Sequence, residues 1–213
     1  MSVLSFVDVS CVAGGARVID RADLTIAAGE RVAVIAPSGA GKSLLSALSI
    51  GLVPPLSGAV HLFGTALAGA SDAARRRLRA RCGVTVQGGS LLGELTVEEN
   101  LWLGAGDAPR ARRRLDRLML DFAVERSGAL PVAALSRGER RRVELVRAFA
   151  RDPELVILDE PLDGAHAGTD ALERAILRQI APRGRALLLL TQDEAFAQRA
   201  CPRVLRLERG RLA

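Results

Sequence analysis

The sequence predicts an α/β protein with a mainly parallel sheet, antiparallel strands at the N-terminus and an inserted helical subdomain. Three observations lead there. Short apolar runs at 32–35, 155–158, 186–190 and 204–207 have the length and composition of buried parallel strands. Helical stretches separate several of these runs, and such alternation implies parallel strands covered on both faces. Residues 2–9 and 22–27 instead alternate apolar and polar, as half-buried antiparallel strands do.

Taken in order, the turn at Ala28-Gly29 leads into the run 32–35, and Leu44 to Leu48 reads as a helix. Gly58 to Leu67 is hairpin-like. Residues 71–81 are predicted helical, with Ser71 as the N-cap. Val84 to Val86 is a short strand ending at Gln87. Thr96 and Glu99 have the spacing of a capping box, which opens a helix through Trp102. An arginine-rich helix is predicted over 109–125. Ser136 and Glu139 form a second box that opens a helix to about Arg151, and another helix lies around 170–180. The helical middle, about 70–150, interrupts the strand–helix alternation and is expected to be a subdomain inserted into one domain spanning 1–213.

The chain has 213 residues and 49% hydrophobic content, enough for a substantial core and too much for disorder. No apolar run approaches the roughly 18 residues of a membrane span, and the first residues lack the charged and apolar regions of a signal peptide. Three scattered cysteines suit a reducing compartment better than a disulfide framework. Net charge is +6, with arginine clusters at 75–81, 110–117 and 137–142. Such runs are either solvated helix faces or a surface for an acidic partner. The absence of tyrosine, with a single tryptophan, argues against stacking platforms for single-stranded nucleic acid.

Lys42 is the only lysine among 30 basic residues. It stands in Ala36-Pro37-Ser38-Gly39-Ala40-Gly41-Lys42-Ser43, which matches the phosphate-binding pattern G-x-x-x-x-G-K-[ST] except at Ala36. Strand, glycine-rich turn and helix start together build an anion site from aligned amides and the helix dipole. Lysine's compact point charge fits inside such a loop where a planar guanidinium does not. This makes the fold a P-loop NTPase. A second site follows the run 155–158, which delivers Asp159 and Glu160 to the C-terminal end of a buried strand, where α/β sheets bind ligands. Asp159 there can hold Mg²⁺ with the Ser43 hydroxyl, and Glu160 can orient and deprotonate an attacking water.

With these motifs in this order, the chain resembles the ATP-binding cassette (ABC) ATPases, as a stand-alone nucleotide-binding subunit of a transporter. Residues 36–43 look like Walker A and 155–160 like Walker B with its glutamate. Gln87 resembles the Q-loop glutamine, and residues 91–100 resemble the stretch leading into the helical subdomain. Residues 135–139 resemble the LSGGQ signature, 161–167 sit where the D-loop belongs, and Gln192 takes the place of the switch histidine. The resemblance implies ATP and Mg²⁺ as ligands. It puts Gln87 with Ser43 and Asp159 at the metal, and Gln87 and Gln192 with Lys42 and Glu160 in turnover. It also implies a second cassette, with Ser136 and the Gly138 amide reaching the γ-phosphate across a homodimer. Ser136 can therefore cap its helix or face a phosphate.

The implied activity is ATP hydrolysis driving a separate transmembrane permease, with the protein peripheral on the cytoplasmic face of the inner membrane. A nucleotide-binding regulatory subunit with weak or no turnover is the alternative. A soluble ABC protein acting on DNA or ribosomes would need a paired cassette or a long coiled-coil insertion, and no nucleic-acid partner is expected. Four departures bear on these readings. Ala36 costs about 1 kcal/mol only if it must be left-handed. No aromatic lies between Phe6 and Phe63 to stack on adenine. Arg137 replaces a signature glycine and either points into solvent or adds a cation at the phosphates. His166 stands near the D-loop aspartate position.

Overall fold

The computed structural model describes residues 2–86, 88–105, 109–164, 169–181 and 184–213. Gln87 and His166, both singled out in the sequence, lie outside them.

A long hairpin begins the chain: β1 (Ser2–Ala13) and β2 (Ala16–Ala27) pair antiparallel. The sequence pattern covers only part of each strand, because Asp8 and Arg21 adopt φ of 49° and 48° and the pairing register shifts near both. Each bulge inverts which side chains face inward, so strict alternation is lost. Gly14 and Gly15 close the hairpin at φ 58° and 78°, the left-handed pair that a tight two-residue turn requires. β4 (Ser57–Leu62) and β5 (Thr65–Ala66) complete this sheet in the order β2-β1-β4-β5.

The second sheet has the order β10-β9-β3-β8-β7-β6. It contains β3 (Arg31–Ile35), β6 (Cys82–Thr85), β7 (Leu155–Asp159), β8 (Ala186–Thr191) and β9 (Arg203–Glu208), all parallel. The short β10 (Arg211–Leu212) runs antiparallel at the edge. Its central strands are apolar except at their ends, at Arg31, Asp159 and Thr191, because both faces are covered. Val32, Val34, Leu155, Ile157, Leu188 and Leu190 pack toward the N-terminal sheet. Ala33, Ile35, Val156, Leu158, Leu187 and Leu189 pack toward the helices. Each such buried Val, Leu or Ile contributes roughly 1.5–3 kcal/mol.

Between β6 and β7 comes the helical insert: α3 (Val97–Ala105), α4 (Pro109–Asp121) and α5 (Arg137–Phe149). Phe122 and Phe149 stack at 6.0 Å where α4 ends over α5. The preceding α2 (Asp72–Arg79), capped by Ser71, sends Leu78 into the N-terminal core instead. The arginine clusters are only partly solvated. Arg114 donates to Phe149 O at 3.0 Å and Arg142 to Phe122 O at 3.3 Å, closing exposed helix ends. After β7 come α6 (Thr169–Ile180) and α7 (Glu194–Ala200). The parallel strands β3, β7 and β8 end side by side, at the P-loop, at Asp159-Glu160 and at Thr191-Gln192.

Candidate functional site

The P-loop leaves β3 at Ile35 and enters α1 (Lys42–Ser49). Ala36 is 2% exposed, packs in the core and is not among the residues with positive φ. Its departure from glycine therefore carries no backbone penalty. Gly41 is different: φ is 107°, and a Cβ would stand 2.6 Å from Val18 Cγ1. Glycine is needed there for conformation and for space. α1 starts with no side-chain cap, so its first amides and positive dipole end face the loop formed by Pro37, Ser38, Gly39 and Ala40.

Lys42 is 5% exposed, and three acceptors surround its ammonium. It donates to Ala36 O at 2.6 Å and Pro37 O at 2.8 Å, and pairs with Glu160 Oε1 at 3.0 Å. Glu160 Oε2 accepts from Thr191 Oγ1 at 3.1 Å and from the Gln192 amide at 3.3 Å. Glu160 itself is left-handed, at φ 47°. Lys42, Glu160 and position 192 thus meet, although Gln192 takes part through its backbone. Thr191 lies just past the apolar run 186–190, and the sequence marked it only as the neighbour of Gln192, with no role for its hydroxyl.

Ser43 Oγ donates to Asp159 Oδ2 at 2.6 Å, joining the two predicted metal ligands. The Asp159 amide donates to Thr85 Oγ1 at 3.1 Å. Asp159 is 1% exposed, and its Oδ1 has no hydrogen-bond partner among the described residues. Burial pushes its carboxyl above the usual range, opposed by the Ser43 hydrogen bond. A buried carboxylate with one orphaned oxygen beside a hydroxyl is a donor set that fits a hard cation such as Mg²⁺.

Ser136 and Arg137 of the signature stretch find their hydrogen-bond partners outside this cluster. Ser136 caps α5 in a complete box, accepting from the Glu139 amide at 3.3 Å while Glu139 accepts from the Ser136 amide at 2.9 Å. Arg137 points largely into solvent, with its side chain 74% exposed. Its guanidinium is tied to Asp163 Oδ2 at 2.5 Å, and its stem lies along Gly164. Gly138 is as tightly placed, since a Cβ there would meet Gly164 O at 3.1 Å. Between α5 and the end of β7 lies a cleft of about 520 Å³, lined by Gly89, Arg137, Arg140, Asp159, Glu160 and Asp163 among others.

Residues 19–163 match the family model described as ABC transporter. The chain is 37% identical over 198 residues to a Nod factor export ATP-binding protein I of Sinorhizobium fredii, covering 91% of this chain and 57% of that protein. A protein of the same description from Rhizobium johnstonii is 36% identical, with 93% and 64% covered. The chain therefore spans less than two thirds of the length of these relatives. Among solved structures, an ATP-binding subunit of an ABC transporter superposes with a TM-score of 0.85 at 32% identity, covering 99% of this chain and 88% of that one. A dimeric bacterial ABC transporter cassette gives 0.88 at 24% identity, with 98% and 96% covered, a likeness of fold. A P-loop beside a Walker B strand, a helical insert opening on a signature-like turn, and these matches lead to one conclusion: the chain belongs to the ABC transporter family, as an ATP-binding cassette.

Proposed function

We propose that this cassette binds MgATP and hydrolyses it, as the energy-transducing subunit of an exporter whose membrane-spanning part is a separate partner. The carrying observation is the placement of Glu160. Its carboxylate is held between Lys42, Thr191 and the Gln192 amide, one residue beyond the buried Asp159.

The β- and γ-phosphates bind in the P-loop amides of 39–43, with Lys42 contributing its charge. A phosphate oxygen competes with Glu160 for the Lys42 ammonium, so binding frees the carboxylate for a water. Glu160 then accepts a proton from that water as its oxygen attacks the γ-phosphorus and ADP leaves. Ser43 and Asp159, together with Gln87, hold Mg²⁺, which neutralises charge on the phosphate oxygens when bound. Gln192 keeps its backbone contact to Glu160 whatever its side chain, which favours turnover over the regulatory alternative. With no aromatic at hand, adenine rests on aliphatic surface near Val12 and Val18, beside the P-loop.

Ser136 and the Gly138 amide serve a second copy's nucleotide in a homodimer. The exposure of Ser136 and Arg137 in this turn supports that reading. We read the whole chain as one cassette domain with the insert as its lever against the permease, on the cytoplasmic face of the inner membrane. No helix among the described residues is long and apolar enough to cross a membrane. The relatives' role in export supports export as the direction.

Glu160→Gln tests the reading. The variant is expected to lose at least about 100-fold in kcat and to elute as an ATP-bound dimer in size-exclusion chromatography. Parent-rate hydrolysis by a monomeric variant would refute it.

A further inference from the structure

Arg141 sits one turn into α5 in a run of arginines, yet it is 8% exposed. Nη1 donates at 2.7 Å to Oε2 of Glu144, which is 7% exposed and lies on the same helix. Nη2 donates to the carbonyl oxygens of both Asp159 and Glu160, the latter at 2.8 Å. A cation buried this deeply needs such pairing to offset its desolvation, although its Nε has no partner among the described residues.

The two carbonyls flank the backbone turn at Glu160. A left-handed residue other than glycine is strained and persists only where its surroundings enforce it. In an extended strand, successive carbonyls point to opposite sides. A single nitrogen can reach both here only because the chain turns back at Glu160, so the guanidinium favours the turned form over the extended one. Glu144 aligns the planar fork for this contact. Lysine, with a single nitrogen, cannot reproduce a fork in which one nitrogen meets the carboxylate and the other meets both carbonyls.

We propose that Arg141 is a positioning residue for Glu160: its guanidinium, oriented by Glu144, holds the left-handed turn that aims the Glu160 carboxylate at Lys42 and Thr191. This rests on the reading of Glu160 as the base in hydrolysis. It also ties the base to the position of α5, whose first turn is the signature stretch. Further contacts anchor the same helix face to the segment after β6. Glu144 Oε1 lies 2.9 Å from where a Cβ on Gly89 would stand, and Arg147 donates to Ser90 O at 2.8 Å. A shift of α5 is therefore felt at Glu160 directly through Arg141.

The test compares the full chain with Arg141→Lys and with the double variant Arg141→Met/Glu144→Leu. The double variant removes both buried charges, so it keeps the fold even if a single change unpairs Glu144 and destabilises the chain. Both are expected to lower kcat at least about tenfold while the ATP dissociation constant stays within about threefold. In a Glu160→Gln background the same changes should cause no further loss of the residual single-turnover rate. Hydrogen exchange at the Glu160 and Asp163 amides, which donate to Leu190 O and Glu160 O, should speed up about tenfold with α1 and α6 unchanged. Unaltered kcat, or a loss that persists in the Glu160→Gln background, overturns the proposal, as does unaltered exchange at those two amides. If the parent chain does not hydrolyse ATP, the functional reading fails on that arm, and the exchange result alone decides whether Arg141 holds the turn.

Discussion

Two helix starts in this molecule are built in opposite ways. α5 opens on Ser136 with a complete capping box on the surface, which pairs the Ser136 and Glu139 amides within three residues. α1 opens on Gly41 with no side-chain cap, and the lysine that follows is buried. The first is finished by local sequence. The second has no side-chain cap and relies on Glu160, more than a hundred residues away, to hold its cation. A helix start whose donors are not capped locally, and whose neighbours are fixed by tertiary contacts, is suited to receive an anion. One whose donors are already capped must exchange those bonds to do so.

Breaking the α1 side should have the largest effect. Lys42→Arg keeps the charge, but a planar fork cannot take the place of an ammonium set between Ala36 O, Pro37 O and Glu160. Nucleotide affinity or turnover is expected to fall at least about tenfold, roughly 1.4 kcal/mol. Near-parent values in isothermal titration and steady-state assays would show that geometry at the α1 start does not matter.

The α5 side should respond in two separable ways. Ser136→Ala should lower unfolding free energy by about 1 kcal/mol, the usual worth of a cap. Nucleotide binding to the isolated cassette should stay within about threefold, while ATP-driven pairing of two copies weakens. Chemical denaturation and analytical ultracentrifugation read the two effects. Unchanged pairing would leave Ser136 as a cap alone.

Asp159 sharpens the contrast through pH. Its carboxyl is raised by burial, so folding favours the protonated form. The ionised form costs stability above that raised value, and the cost disappears as pH falls below the ordinary value of 3.8. Asp159→Asn should therefore raise Tm at pH 7 in ligand-free thermal melts and remove the Mg²⁺ dependence of ATP binding. A lower Tm would mean that the ionised carboxylate is not a burden on the fold.

The smallest effect is expected from Arg137→Ala. The Arg137–Asp163 pair is exposed, at 74% and 53% for the two side chains, so its loss should cost no more than about 1 kcal/mol. Turnover should change less than about threefold. A fall of about 1,000-fold would instead mark Arg137 as a transition-state cation.

The sequence by itself determined the local chemistry. P-loop spacing, both capping boxes, the strand delivering Asp159 and Glu160, and the apolar runs are all set by neighbours within a few residues, so pattern alone reveals them. Tertiary structure decided the rest. The bulges at Asp8 and Arg21 lengthen the N-terminal hairpin beyond its alternating segments. Thr191 reaches Glu160 across 31 positions, and Arg137 finds Asp163 across 26. Within the run 137–142, Arg137 and Arg140 are exposed and Arg141 is buried. Composition treats these arginines as equivalent. Only the turn at the end of β7, with its two convergent carbonyls, makes one of them an interior residue, because a buried guanidinium is stable only where acceptors from distant parts of the chain are already in place.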